Sequence, residues 1–438
     1  MRGSGPGVLR CNDLPLASLG GSPPVHVRRL LTVLPSVLAL LVSCGGDSGK
    51  NGGSATISGK VVDAYGLPLA SRTVLIGASS TTTDANGSFT LTGVAIPYDL
   101  VVLAPAPDKF ASVFMQLTRT DPKVPDLSAG DPPVRSATVK GAITGGAPFP
   151  TPAQTETVIT WGSADQAFGG VSASSSSYSL DVAWVGPTSV TGNVHGLQFS
   201  LDDNLTVTGY VSHGVKSGVS LSDTATVTGA DLVLTAPQTD TISVTATLPA
   251  GHEIFQRNVI LGFDDGAFIQ VSGDGLDAGT LDVPVPSDIG ATSLVQFRAL
   301  STDGAMETDA QLKGVTPGTS GAALTLPAPA RLTSPANGAT GVGTGTELVW
   351  TPVGTAIHVM YLSGTANDPT YGIVSAGSRA PIPDLSGHGL VLPSGHSYDV
   401  TLLAFGSFAS LDAFAATGTL PKEGSDFQTV SFSGFTTR

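Results

Sequence analysis

The sequence predicts an all-β chain of tandem β-sandwiches behind an export signal, and three observations carry that prediction. Of 438 residues, 55 are Gly and 31 are Pro, a density of turn-formers that leaves little room for long helices. From Ala55 onward, short runs of Val, Ile, Thr and Leu are broken by Gly, Pro, Asp or Asn about every ten residues, the cadence of antiparallel strands and turns. Beyond residue 44 no stretch holds an apolar repeat of about 3.6 residues long enough to demand a helix. The best helical candidate, Ser407–Ala416, reads as one short helix or a loop.

Composition sets the outer limits. Hydrophobic residues make up 41% of the chain and charged residues 12%, so there is ample apolar surface to bury and too little charge for a disordered polyelectrolyte. Single cores stop growing well below this length, and three or four units of ~100 residues fit it. A net charge of −14 opposes electrostatic binding to nucleic acid or to an anionic membrane surface.

Cysteine gives the sharpest local signal. The chain has two, Cys11 and Cys44, both ahead of the first strand-like run, so the folded part is expected to hold no disulfide and no cysteine metal site. Arg28-Arg29 is followed by the 13-residue apolar run Leu30–Val42, then Ser43 and Cys44. A basic pair, a short apolar core and small residues make a secretory signal, and the run is too short for the ~20 residues of a spanning helix. Leu41-Val42-Ser43-Cys44 resembles the lipobox of bacterial lipoproteins, which implies that the Cys44 thiol is acylated and becomes the mature N-terminus. Multiple acyl chains anchor stably, which would make the membrane a partner through Cys44. Gly45 stands where an aspartate would favour inner-membrane retention, so the resemblance points to the outer membrane or cell surface. Residues 45–54, rich in Gly, Ser and Asn, read as a flexible tether. Residues 1–24, with four prolines, fit poorly as a signal n-region, and a start at Val25 or Val27 would give a compact one.

Four modules are expected after the tether: 55–134, 135–238, 239–329 and 330–438. The first carries Gly59-Lys60-Val61-Val62-Asp63-Ala64-Tyr65-Gly66-Leu67-Pro68-Leu69 and Thr83-Asp84-Ala85-Asn86-Gly87-Ser88-Phe89-Thr90-Leu91. Gly66 and Pro68 turn the chain, Asn86-Gly87 suits positive φ, and Phe89 and Leu91 alternate inward. These phrases resemble the carboxypeptidase regulatory-like domain, a transthyretin-like sandwich, and imply a binding or spacer module rather than a peptidase. The cadence recurs: the first strand leads the second by 17 residues (Ile57 to Val74), 19 (Val139 to Val158) and 17 (Ile242 to Val259), as diverged repeats would. The last module, with Trp350 on an early strand and Leu392 six residues before Tyr398, resembles a fibronectin type III-like, immunoglobulin-like sandwich with a tyrosine corner. Trp350 and Tyr398 are read as core.

Chemistry is harder to find. There is no G-x-S-x-G elbow for a serine nucleophile, and His252-Glu253 does not continue into H-E-x-x-H. The remaining histidines are scattered and read as surface residues. The acidic turns Asp202-Asp203-Asn204, Asp264-Asp265-Gly266 and Asp274–Asp277 lack the spaced calcium-loop pattern and read as polar hairpin turns. No catalytic residue, metal site or cofactor is expected. Trp161, Phe168, Tyr178 and Trp184 cluster in the second module. Trp184 should point inward, which leaves Trp161 as the candidate ligand contact. The reading is a lipid-anchored, exported cell-envelope protein, not an enzyme, whose modules bind protein or carbohydrate or act as spacers. The alternatives are an accessory subunit of a surface hydrolase, or a glycan- or peptide-cleaving enzyme with carboxylates on separate loops.

Overall fold

The computed structural model describes residues 54–438 apart from 131, 165–167, 204–205, 275–278, 407, 409 and 420–425. Cys44, the signal segment and most of the tether lie outside the described residues. The described chain is built of β-sheets with one short α-helix, the all-β architecture the turn density predicts.

The first seven strands are β1 (Ala55–Val62), β2 (Thr73–Ile76), β3 (Ser79–Thr82), β4 (Ser88–Val94), β5 (Tyr98–Leu103), β6 (Phe110–Leu117) and β7 (Lys123–Pro125). They form two layers, β4-β1-β7 and β3-β2-β5-β6. The next stretch supplies β8 (Val134–Gly145), β9 (Thr155–Gly162), β10 (Phe168–Ser172), β11 (Ser177–Val185), β12 (Ser189–Leu201), β13 (Val207–Ser222), β14 (Thr226–Val227) and β15 (Leu232–Leu234). Its layers are β11-β8-β14 and β10-β9-β12-β13, joined through Phe168 opposite Ala183. A third stretch gives β16 (Thr239–Thr247), β17 (His252–Phe263), β18 (Phe268–Asp274), β19 (Thr280–Pro286), β20 (Ala291–Ser301), β21 (Met306–Val315) and β22 (Ala322–Thr325). Its layers are β19-β16-β22 and β18-β17-β20-β21.

These three sandwiches share one topology. In each, the first strand lies between the fourth, antiparallel, and the seventh, parallel, while the second layer runs third-second-fifth-sixth; the second sandwich adds β15, also parallel to β8. The recurring strand spacing in the sequence is the linear trace of this repeat.

The last stretch differs. It has β23 (Leu332–Ser334), β24 (Ala339–Val342), β25 (Glu347–Trp350), β26 (Ile357–Ser363), β27 (Thr370–Ser375), β28 (Arg379–Pro381), β29 (Ser397–Phe405), the helix α1 (Leu411–Thr417) and β30 (Phe427–Thr437). The layers are β23-β25-β28 and β27-β26-β29-β30, with β24 parallel to β30. Trp350 and Tyr398 are buried in its core. The Tyr398 hydroxyl donates to Pro369 O at 3.1 Å, a strand start 29 residues upstream rather than the nearby backbone that a tyrosine corner would use.

Local chemistry explains the elements. In β11, Tyr178, Leu180, Val182 and Trp184 point inward while Ser177, Ser179, Asp181 and Ala183 face water, the period-two pattern of a half-buried strand. In the first sandwich the Asp84 carboxylate accepts from the N–H groups of Asn86 and Ser88, both at 2.8 Å, and closes the turn before β4. Gly87 has φ 68°, and a Cβ there would come 2.5 Å from Val61 O. Phe89 and Leu91 then enter the core.

The sandwiches are not independent beads. β6 pairs in parallel with β27, from Phe110 opposite Thr370 to Phe114 opposite Val374, and β21 pairs antiparallel with β30. One 13-stranded sheet therefore runs through the third, last and first sandwiches. Without these pairings β6 and β21 would present open edges. The first sandwich builds its core on one face of this sheet and the last on the other. Leu75, Val101 and Val113 thus pack with Trp350, while Val359, Val374 and Leu403 pack with Ile57, Phe89 and Phe114. Helix α1, capped by Ser410 accepting from Ala413 N at 3.1 Å and ended by Gly418 at φ 69°, buries Leu411, Phe414 and Ala415 against the first sandwich.

Candidate functional site

Trp161 does not form a surface platform. Its ring on β9 is 0% exposed among Ile159, Leu180 and Val194, because Trp161 shares a strand face with Ile159 while Val158 and Thr160 take the opposite one. Gly192 makes room for it: a Cβ there would lie 2.9 Å from the indole. The expectation of a ligand contact at Trp161 is thereby replaced by a core role. Cys44, the lipidation candidate, lies outside the described residues.

The scattered histidines also fall differently from the expectation. His195, His252 and His358 are buried, and His388 and His396 exposed. His195 lies where the second and third sandwiches meet. Its ring stacks on Phe263 of the third sandwich with centroids 4.0 Å apart, and His213, on the neighbouring strand of the same second sandwich, lies 5.8 Å from His195 and 5.7 Å from Phe263. His195 Nε2 is 2.8 Å from Asp265 Oδ2, which also accepts from Asn193 Nδ2 at 2.5 Å. Burial raises the Asp265 pKa, but the bonds from His195, Ala267 and Asn193 outweigh it and leave the carboxyl below its usual range. Burial, helped by His195 and opposed by Asp288, pulls His213 down to about 4. The turn bearing Asp265 seats on Gly162, where a Cβ would come 2.0 Å from Ala267 N, and Phe168 stacks on Phe268 at 4.4 Å. The Asp264-Asp265-Gly266 turn is thus a joint between sandwiches. Among the described residues, no group of three or more His, Cys, Asp or Glu is placed to hold a metal ion.

A second concentration of polar groups covers the outer face of the third sandwich. One row across the strands is Gln256, Arg298, Asp309 and Gln428, and the next is Asn258, Gln296 and Gln311. Arg298 Nη1 donates to Gln256 Oε1 at 2.7 Å, and its Nε to Glu307 Oε1 at 3.0 Å. Asn258 Nδ2 donates to Gln296 Oε1 at 2.6 Å, and Gln296 Nε2 to Asp309 Oδ2 at 2.5 Å. Gln256 and Gln270 both donate to Asn258 Oδ1 at 3.1 Å. A β-bulge between Ile254 and Gln256 turns Phe255 outward, where it is 37% exposed with the Arg298 guanidinium 4.9 Å above its ring. The sequence reading passed over this face. Its signal is the alternation Leu294-Val295-Gln296-Phe297-Arg298-Ala299, which sets amide and guanidinium on one side of a strand.

Comparison with known proteins adds little to this. No protein-family model matches the chain and no curated protein matches it. Among solved structures, a leucine-rich repeat protein from Bacteroides thetaiotaomicron is similar over 44% of this chain and 26% of its own, at 8% identity and TM-score 0.15. The chain thus spans about a quarter of that protein's length. A streptococcal ancillary pilin matches over 61% of this chain and 91% of its own, at 10% identity and TM-score 0.14. The major pilin subunit BcpA of Bacillus cereus matches over 63% and 99%, at 10% identity and TM-score 0.13.

Proposed function

We propose that this chain is an exported, lipid-anchored, non-enzymatic protein of the cell envelope, held at the outer membrane or cell surface through Cys44, whose sandwiches display binding surfaces or hold them at a distance. The observation that carries this is the pairing of a secretory signal ending in Cys44, followed by a flexible tether, with an all-β body. The shared sheet supports a scaffold role, since edge pairing and helix α1 fix the first sandwich to the last. The module boundaries near residues 134, 238 and 329, and the likeness of the first and last modules to carboxypeptidase regulatory-like and fibronectin type III-like domains, belong to the same proposal. Seven strands in two layers and the β23-β25-β28 layer support it. Metabolic labelling with an acyl probe tests the anchor: wild type becomes tagged and Cys44→Ala does not. Equal labelling would remove it. Deleting residues 2–24 should leave export intact, because the signal proper begins near Arg28.

A further inference from the structure

We infer that the outer face of the third sandwich's second layer is a binding site for a neutral glycan; this rests on the display reading above and names its ligand class. The first support is the bulge at Phe255. In an unbroken strand Ile254 and Gln256 would share a face, yet Ile254 is in the core and Gln256 lies on the outside. The extra residue brings an aromatic ring onto a polar face at no cost to the core beneath, and bulges are a recurrent means of re-aiming a side chain. A ring exposed along one side offers a flat apolar surface to the C–H face of a sugar.

The second support is the lattice of amides. Each Gln or Asn side chain carries two N–H donors and an oxygen with two lone pairs, so it can answer a hydroxyl, which also donates and accepts. Gln256, Gln270, Gln296 and Arg298 are tied together through the buried Asn258 and to Asp309 and Glu307. Their rotamers are set before any ligand arrives, which lowers the ordering cost of binding. The row from Gln256 to Gln428 crosses four strands, roughly 14 Å at the usual strand spacing, room for a short oligosaccharide.

Charge narrows the class. Arg298 sits 2.5 Å from Glu307 and 3.9 Å from Asp309, and Lys313, farther along β21, lies 3.6 Å from Asp426, so an anionic sugar, a phosphate or a nucleic acid would meet paired cations and a carboxylate excess. A peptide strand would need open backbone, but here β17, β20 and β21 are each paired on both sides, and the face offers side chains alone. A neutral, hydroxyl-rich ligand meets neither obstacle.

Affinity electrophoresis of the purified full chain in mild detergent tests this, with soluble β-glucan, α-glucan, xylan, mannan or galactan cast in the gel. At least one should retard the wild type. Phe255→Ala and Gln270→Ala, both at exposed positions, should each weaken retention about tenfold, the loss of one contact of about 1.4 kcal/mol, with the thermal midpoint unchanged. Retardation by none of the five, or retention of both variants equal to wild type, overturns the inference. Acyl labelling at Cys44 is read separately, so a failed anchor and a failed glycan site are told apart.

Discussion

Asp412, on helix α1, accepts the backbone N–H of Thr118 at 2.9 Å and of Arg119 at 3.0 Å, although nearly 300 residues separate them in the chain. The Thr118 hydroxyl bonds the same carboxylate. Burial raises the Asp412 pKa, but these bonds outweigh it and hold the group below its usual range. One side chain therefore satisfies the N–H groups that follow β6 and ties the last sandwich to the first.

Asp412→Ala should cost about 1.5–3 kcal/mol, the range for hydrogen bonds to a charged group. Limited proteolysis should then cut the chain around residues 118–123 sooner than in wild type. An unchanged urea midpoint and unchanged cleavage would show that Leu411 and Phe414 carry the contact alone.

Phe89→Ala in the full chain should lower stability by about 3–5 kcal/mol, since the ring is 4% exposed and its removal leaves a cavity. Thr82→Ala on β3 serves as the surface control. Equal midpoints for the two would contradict the register of β4.

Gly162→Val should open the joint between the second and third sandwiches, because a Cβ there overlaps backbone rather than a mobile side chain tip. Overpacking of this kind costs about 1–3 kcal/mol. Small-angle scattering should show a larger radius of gyration, and the bond between Asn193 and Asp265 should lose its coupling in a double-mutant cycle.

Acid should destabilise the protein before its carboxylates titrate. Burial lowers His358 to about 4, partly opposed by a backbone bond at Ser375, and burial lowers His213 similarly. A base whose pKa falls on folding is protonated first in the unfolded chain. Stability is therefore full above ~6.5, the unfolded histidine value, and declines from there towards pH 4. For His358, 1% exposed, the slope is at most about 1.4 kcal/mol per pH unit. Asp265 and Asp412, whose pKa values are lowered, add their loss further down, as the pH falls below the ordinary carboxylate range. The thermal midpoint should drop between pH 7 and pH 5; a flat profile there would show that both rings take protons without cost.

What the sequence made legible was what side-chain pattern and turn chemistry encode. Asp84-Ala85-Asn86-Gly87 announces its turn, Ser177–Val185 its alternation, and Trp350 and Tyr398 their burial. The 17- and 19-residue spacings disclosed a repeat whose identical strand order needed the structure to be seen. Ser407–Ala416 was legible as one short helix or a loop, of which Leu411–Thr417 is helical, but not as the piece that docks the last sandwich on the first. Edge pairing between β6 and β27 leaves no such trace, because it is made by backbone N–H and C=O groups that every residue carries. The pairing of His195 with Asp265 escaped for a related reason: 70 residues apart, they meet through the packing of two sandwiches, and the Asp264-Asp265-Gly266 pattern marks only a turn.

The partnership of β6 with β27 also sets a timetable. Phe110 and its partner Thr370 are 260 residues apart, and a ribosome adding about 5–20 residues per second needs on the order of 10–50 s to make what lies between. Throughout that interval β6 has a bare edge, and Phe114 and Leu117 wait for the helix that will cover them. The N-terminal sandwich must therefore be shielded, or kept extended, until the final quarter of the chain has emerged. Slow emergence at this stage is when the protein is most exposed to pairing with the wrong neighbour.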